Sequence, residues 1–461
     1  MLRNYLIVTF RNLVKNGFYS LINISGLAIG ITCSILILLW VADETSFDKF
    51  LPKNDRLYQV WVKAYFDGRV NSWTSVPLPT ADAMKPADAN IVRAAVTDWG
   101  GDHLLATTED KRMNKRGFNV GEEFLEMFQF PLIAGNAEQV LDEAGNIVIT
   151  ESTAKAFFGD EDPMGKVIRI DNQHDLTVAG ILKDIPSNSS FQFDFLLPYK
   201  HWHSTNEWVR RNESNWGNYS FQVFVELNDP HNAAAVENSI RDMLAAHGED
   251  EEMKHEFFIY PLLRWRLHSN FENGVEQGGM SDYVQLFSII AVFIIVIACI
   301  NFMNLATARS ERSAREVGIR KSVGSRRWEL IFQFVGESLI ITSIAFAIAV
   351  LAAYLLLPYY NTLVDKKLFI DFTSKEFWLY SLALVFITGG LAGSYPAFYL
   401  SSFQPVKVLK GKPTIGKGAS LPRKILVTLQ FGFSILLIIS MFVIYNQIQL
   451  AKSRDIGYSQ E

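Results

Sequence analysis

Five long apolar runs constrain this chain more than any other feature: Leu21–Val41, Val284–Thr307, Leu330–Leu357, Phe377–Phe398 and Ile425–Tyr445. Each has 21 to 28 residues, and a helix needs ~20 to cross the hydrocarbon core of a bilayer. One such run can hide inside a soluble protein, but five of them with basic flanks imply membrane crossings. The expected fold is therefore an α-helical transmembrane bundle of five spans with a large α+β extracytoplasmic domain, of two subdomains, between the first and second spans. Hydrophobic residues make up 49% of the 461, a share that would not exclude a soluble protein. Their concentration into runs decides the class.

The distribution of Lys and Arg gives an orientation. If the N-terminus is inside, residues 1–20, 306–329 and 400–424 are cytoplasmic and together hold 16 basic and 3 acidic residues. The segment 42–283 holds 22 basic and 39 acidic residues. Short loops rich in Lys and Arg stay inside, so the net charge of −5 conceals a polarised molecule. The expected location is the cell inner membrane, multi-pass, with the large domain periplasmic. The first run is too long for a signal-peptide core and no A-x-A-like site follows Val41, so it reads as an uncleaved anchor. Residues 1–20 before it read as a cytoplasmic amphipathic segment lying along the membrane face. The only cysteines, Cys33 and Cys299, fall inside spans, which leaves the outer domain without a disulfide framework or a thiolate metal site.

Within the 42–283 domain, β-rich runs at 57–62, 147–150, 167–170, 176–181 and 221–227 are bounded by Gly, Asp, Asn and Pro. Helical patches at 122–128, 152–157 and 233–246 lie between them. Residues 118–186 read as one subdomain inserted in the other. Residues 284–411 hold spans two to four, with a connecting loop at 308–329. Residues 412–461 hold a linker, the fifth span and sixteen residues after Tyr445, an arrangement expected of a truncated gene or of one half of a longer chain.

The segment Glu311–Arg327, ERSAREVGIRKSVGSRR, carries the most information. It starts as a helix continuing from the second span and reaches Gly318 and Gly324. Charge surrounds it, so it offers no wide apolar stripe for burial in its own bundle. Glu311 and Glu316 accompany Arg312, Arg315, Arg320 and Lys321, which suit acidic groups on a docked protein; Val317, Ile319 and Val323 add apolar contact. The plainer reading is an ordinary positive-inside loop. Glu337 is an ionisable residue within a span, costly there; partial solvation or a partner such as Arg326 or Arg327 would explain it, and a conformational role near the loop is the expectation. Gly26 and Gly30, and Gly389 and Gly393, make small-xxx-small faces, explained equally by packing within one bundle and by dimerisation.

Catalytic readings are weak. GKPTIGKG at 411–418 satisfies G-x-x-x-x-G-K but lacks the following Ser or Thr that would hold Mg²⁺, and Pro413 interrupts it. His201 and His203 would share one side of a strand, as in some metal sites, but have no third ligand close in sequence; a structural role is the expectation. No cofactor, metal or nucleic acid is expected, and the outer acids read as solvated surface.

The run CINFMNLATARSERSAREVGIRKSVGSRRWELIFQFVGESLI, at 299–340, resembles the span–loop–span signature of MacB/FtsX-type ABC transporter permeases. LAGSYPAFYLSSFQPVKVLKG at 391–411, NIVITESTAKAFFGDEDPMGKVIRIDNQHDLTVAGILKDIPSNSSF at 146–191 and RNLVKNGFYSLINISGLAIGI at 11–31 are similar to the fourth helix, the periplasmic core domain and the first helix of that family. LPRKILVTLQFGFSILLIISMFVIYNQIQLAKSRDIGY at 421–458 resembles the helix that opens the second half of eight-span members, and simpler members stop after four spans.

The resemblance implies a non-catalytic permease subunit for export or extraction of a substrate. In the family the loop touches a separate cytoplasmic ATPase, here expected at Glu311–Lys321 and Gly324. The alternative is an FtsX-like regulator that activates a periplasmic partner and transports nothing. Expected partners are the ATPase, the lipid bilayer, a second permease half as homo- or pseudo-dimer, and a periplasmic or outer-membrane protein.

Overall fold

The computed structural model describes residue 11 and residues 17–107, 111–247, 254–401 and 420–453; at 308–316, 320, 400, 420–423 and 451–452 it describes the backbone alone. The chain divides into two compact units, residues 1–41 with 285–461, and residues 42–284.

Five long helices carry the apolar runs: α1 (Gly17–Thr45), α2 (Met280–Ser322), α3 (Arg327–Val364), α4 (Lys375–Ser401) and α5 (Ser420–Ser453). Each contains a stretch long and apolar enough to cross a membrane, and each expected run falls inside one of them. All exceed the runs that predicted them, because backbone hydrogen bonding continues past the last apolar residue into flanks that water solvates. The amphipathic segment at 1–20 and the linker at 412–419 fall almost wholly outside the described residues.

Close helix approach holds the first four together. A methyl group on Gly30 would sit 2.8 Å from Ala298 Cβ, and one on Gly26 3.2 Å from Asn301 Nδ2, so α1 lies against α2. Gly393 and Gly389 hold the same relation to Ser338 and Leu339 of α3, at 2.8 and 2.7 Å. Both small-residue faces thus pack against neighbouring helices of this chain. Polar side chains add interhelical bonds: Thr32 Oγ1 donates to Ala349 O (3.3 Å) and Ser34 Oγ to Ala291 O (3.1 Å). Helix α5 stacks Phe433 on Phe293 of α2 with ring centroids 4.6 Å apart, and Asn304 Nδ2 of α2 donates to Gln430 Oε1 at 3.4 Å, but no residue of its apolar window is fully buried.

Beside a separate small hairpin that pairs Phe271–Glu272 with Val275–Glu276, the unit of residues 42–284 is built on one twelve-stranded sheet. Its strands among the described residues are β1 (Leu57–Phe66), β2 (Arg69–Trp73), β3 (Ile91–Thr97), β4 (Gly101–Ala106), β5 (Arg112–Val120), β6 (Leu132–Ala134), β7 (Asn146–Thr150), β8 (Val167–Ile170), β9 (His174–Leu182), β10 (Phe195–Pro198), β11 (Gln222–Leu227) and β12 (Lys254–Pro261). The order is β10-β7-β9-β8-β4-β5-β3-β11-β1-β12. Because β10 also pairs with β5 in parallel, six strands close into a ring, and β3-β11-β1-β12 continue as an open sheet. Gly117 permits the closure: a Cβ there would lie 2.2 Å from the Phe195 ring.

Alternation along the strands sorts side chains between cores. Val60 and Val62 of β1 and Val223, Val225 and Leu227 of β11 face one core with Met84, Val236 and Phe257. Phe224, on the opposite face of β11, joins an aromatic core with Phe124, Phe128, Phe130 and Phe191. The closed ring has its own core, with residues from Leu105 to Leu197, wider on both sides than the inserted unit expected at 118–186. Pairing explains the difference, since β4 and β10 lie outside that range yet complete the ring.

Candidate functional site

The connection between α2 and α3 is the region to which the sequence assigns a partner. Apolar sequence in α2 ends at Thr307, but the helix runs on to Ser322. Those fifteen residues add about 22 Å of rise. Gly318 lies within the helix and is buried beside Val317, so it marks a close packing position and no break. The break comes at Gly324, whose φ of +108° is a conformation that residues with a Cβ rarely adopt. Arg326 follows, its N–H donating to the Glu329 carboxylate at 3.0 Å. That acid in the first turn of α3 complements the helix dipole.

Two cations tie this turn to the last described residue of α4. Lys321 Nζ donates to the carbonyl of Ser401 at 2.5 Å, and Arg327 Nε to its hydroxyl at 3.4 Å. Burial, then the neighbouring Arg327, lowers the Lys321 pKa. Lys321, one of the cations assigned to docking, also holds the turn against α4 through this bond. Ile319, at 48% exposure, and Val323, at 83%, remain open. The side chains of Glu311, Arg312, Arg315, Glu316 and Arg320 lie outside the described residues, and their backbone is helical. Sequence reasoning missed Trp328 and Phe332, which are exposed one turn apart at the start of α3. Their i, i+4 aromatic spacing at the end of an apolar run was the available signal.

Glu337 is half-buried, in the same helix as Arg327. Ten residues of α3 separate the two by about 15 Å of rise. Arg327 turns to Ser401, and Arg326 sits at the start of the helix. The proposed partnership of Glu337 with either arginine is therefore corrected.

His201 and His203 stand on a helix, Tyr199–Thr205, and the expected strand is absent there. Residues two apart on a helix point to different sides: His201 is buried with Nδ1 3.1 Å from Ala144 O, and His203 meets Glu213 at 3.3 Å. Among the described residues no cluster of three or more His, Cys, Asp or Glu side chains converges as a metal site.

A cleft of about 710 Å³ opens beside that helix, with Tyr199, Asp82, Glu213, Lys85 and Lys200 in its wall. Burial, then Glu213 and Asp82, pushes the Tyr199 hydroxyl up to about 12, so it stays a neutral donor. Lys85 pairs with Glu123 at 2.6 Å and Lys200 with Glu122 at 2.7 Å.

Residues 20–243 match the model of the MacB-like periplasmic core domain family, and residues 288–405 that of the FtsX-like permease C-terminal family. The macrolide export ATP-binding/permease protein MacB of Burkholderia pseudomallei (strain K96243) is 26% identical over 413 residues, covering 86% of this chain and 58% of that protein. MacB of Aggregatibacter actinomycetemcomitans is 23% identical over 344 residues, covering 71% and 49%. The crystal structure of the periplasmic region of MacB from Actinobacillus actinomycetemcomitans aligns with a TM-score of 0.33 and 18% identity, covering 46% of this chain and 91% of that one. The chain thus spans less than two thirds of the length of these curated relatives.

Proposed function

The chain belongs to the MacB/FtsX-type ABC transporter permeases, membrane proteins with a large extracytoplasmic domain, and from that membership we propose that it couples a separate cytoplasmic ATPase to motion of this domain. The observation that carries the reading is the α2–α3 connection. It is a continuous helical extension of fifteen residues, closed by a glycine turn and fastened to Ser401, with Ile319 and Val323 exposed at its tip.

A lever of this kind transmits displacement because a continuous helix keeps its hydrogen bonds as it moves. The ATPase contacts Arg312, Arg315 and Arg320 through acidic groups and Ile319 and Val323 through apolar ones. α1 and α2, which enter and leave the extracytoplasmic domain, carry the motion to it. Such coupling needs contacts that differ between two states. The chain itself contributes no hydrolysis, since its one Walker-like stretch lacks the Mg²⁺-binding hydroxyl. The output is export or extraction of a substrate.

A tagged chain purified from its native membranes is expected to bring down an ATPase with Walker motifs, identified by mass spectrometry. Arg315→Glu with Arg320→Glu should reduce that recovery by at least tenfold. Equal recovery with the native and altered loops would remove the docking assignment.

A further inference from the structure

The last turn of α1 and the segment that precedes α2 meet in a charged knot within the extracytoplasmic unit, its carboxylate buried and its guanidinium half-buried. Glu44, at 1% exposure, accepts two hydrogen bonds from Arg266, Nε to Oε2 at 2.6 Å and Nη2 to Oε1 at 2.8 Å. The guanidinium also covers the Phe47 ring at 4.4 Å. The residue after Arg266, Leu267, accepts from the backbone N–H of Ser281 at 2.9 Å, in the first turn of α2. One residue step therefore separates the α1 anchor from the α2 anchor.

The knot has a third arm. Asp48, also at 1% exposure, accepts from the Ser190 N–H at 2.8 Å, the Ser190 hydroxyl at 2.5 Å and the Ser189 hydroxyl at 3.3 Å. Its own N–H donates to Asn188 O at 2.9 Å, and Asn188 Nδ2 donates to Ser46 Oγ at 2.9 Å. Residues 188–190 lie on the segment joining β9 to β10, the strand that closes the ring.

We propose that Glu44 and Arg266 are the positioning pair through which movement of α1 and α2 reaches the extracytoplasmic domain, with Asp48 relaying it to the closed ring. The proposal rests on the coupling function above. With Glu44 buried and Arg266 35% exposed, the pair is a weak stabiliser, because desolvation of the carboxylate and solvent screening of the guanidinium offset most of its attraction. Its distinctive property is geometric: a planar guanidinium held at two points by a carboxylate fixes angle as well as distance. An apolar contact of equal area would let the helix end rotate or slip. A lysine at position 266 would keep the charge and lose the fork.

The test uses the complex purified from native membranes, with hydrogen exchange of residues 42–50 and 186–193 measured by mass spectrometry with and without ATP. In the native complex ATP changes exchange in both segments. In Glu44→Gln and in Arg266→Lys the ATP-linked change at 186–193 is lost, while ATPase recovery and the unfolding temperature of the domain stay at native values. The double variant Glu44→Arg with Arg266→Glu restores at least half of the change, which a folding defect would not do. A native-sized ATP-linked change in the two single variants overturns the joint and leaves the coupling function standing. No ATP-linked change in the native complex overturns both.

Discussion

In the extracytoplasmic unit the side chains with no exposure include Phe124, Phe128, Phe195, Phe221 and Met84, whereas in the helical unit they are Ala291, Ala345, Ala349, Ala353, Ala392 and Ala397 with a few Ser and Thr. Although Leu27, Ile31 and Phe302 are buried between helices, many large apolar residues there point outward: Leu355 is 62% exposed, Tyr359 77% and Leu363 81%. Two solvents explain the inversion. In water, burying large apolar surface is the main gain, at about 25 cal/mol per Å². In lipid that gain vanishes between helices, and association depends on how closely backbones approach and on polar contacts between them. Phe128 packed on Phe191 at 4.9 Å and Gly30 packed on Ala298 are the same task solved under different physics.

The comparison breaks most readily at Phe128. Phe128→Ala should cost about 3–5 kcal/mol, the transfer and cavity terms together. Denaturant unfolding followed by tryptophan fluorescence measures it; a loss below about 1 kcal/mol would mean the aromatic core is not what holds the domain.

Enlargement is the corresponding injury to the helices. Gly30→Leu, which drives a side chain into Ala298, should cost about 1–3 kcal/mol as overpacking, read as loss of helix association in detergent titration. Gly432→Leu, with nothing within 4 Å, should leave association unchanged. Equal effects at the two positions would show that close approach is not the organising feature.

The smallest effect sharpens the polar side of the contrast. Burial raises the pKa of Asp48 and of Asp98 above the usual carboxylate value of 3.8, against hydrogen bonds that lower both. A carboxyl that binds its proton more tightly in the folded state contributes stability that is complete below the unfolded pKa and is lost as pH rises through the folded value. Relative to Asp48→Asn with Asp98→Asn, the native domain should therefore gain stability as pH falls from neutral toward about 4. Carboxylates lowered in the fold, such as Glu256 and Glu276, act oppositely but are shared by both proteins and cancel. Melting temperatures across a pH series check the sign, and a native domain that loses ground to the variant on acidification would reverse the assignment.

Much of the fold was legible because hydropathy, charge and side-chain alternation report directly on local solvent. The five helices, the strand Val167–Ile170 and the helix near 151–158 all stand where their patterns placed them. The strand considered for His201 and His203 did not form, because an i, i+2 spacing does not by itself distinguish strand from helix; on the helix Tyr199–Thr205, His201 takes the structural place expected of it, bonded to Ala144 O. The bond of Lys321 to the carbonyl of Ser401, eighty residues onward, was not legible, because a basic loop reads the same whether or not a cation turns to its own chain.

What the sequence alone determined about this protein is therefore which segments face lipid, which face water, and the period each follows. Tertiary structure alone decided that β10 would pair with both β5 and β7 to close a ring, and that the small-residue faces would pack against neighbouring helices of this chain. It alone brought Glu44 to Arg266 across 222 positions. Local patterns record the transfer of a residue between solvents. Closure and buried pairing depend on contacts between distant segments, whose free energy exists only once the rest of the chain has arranged them.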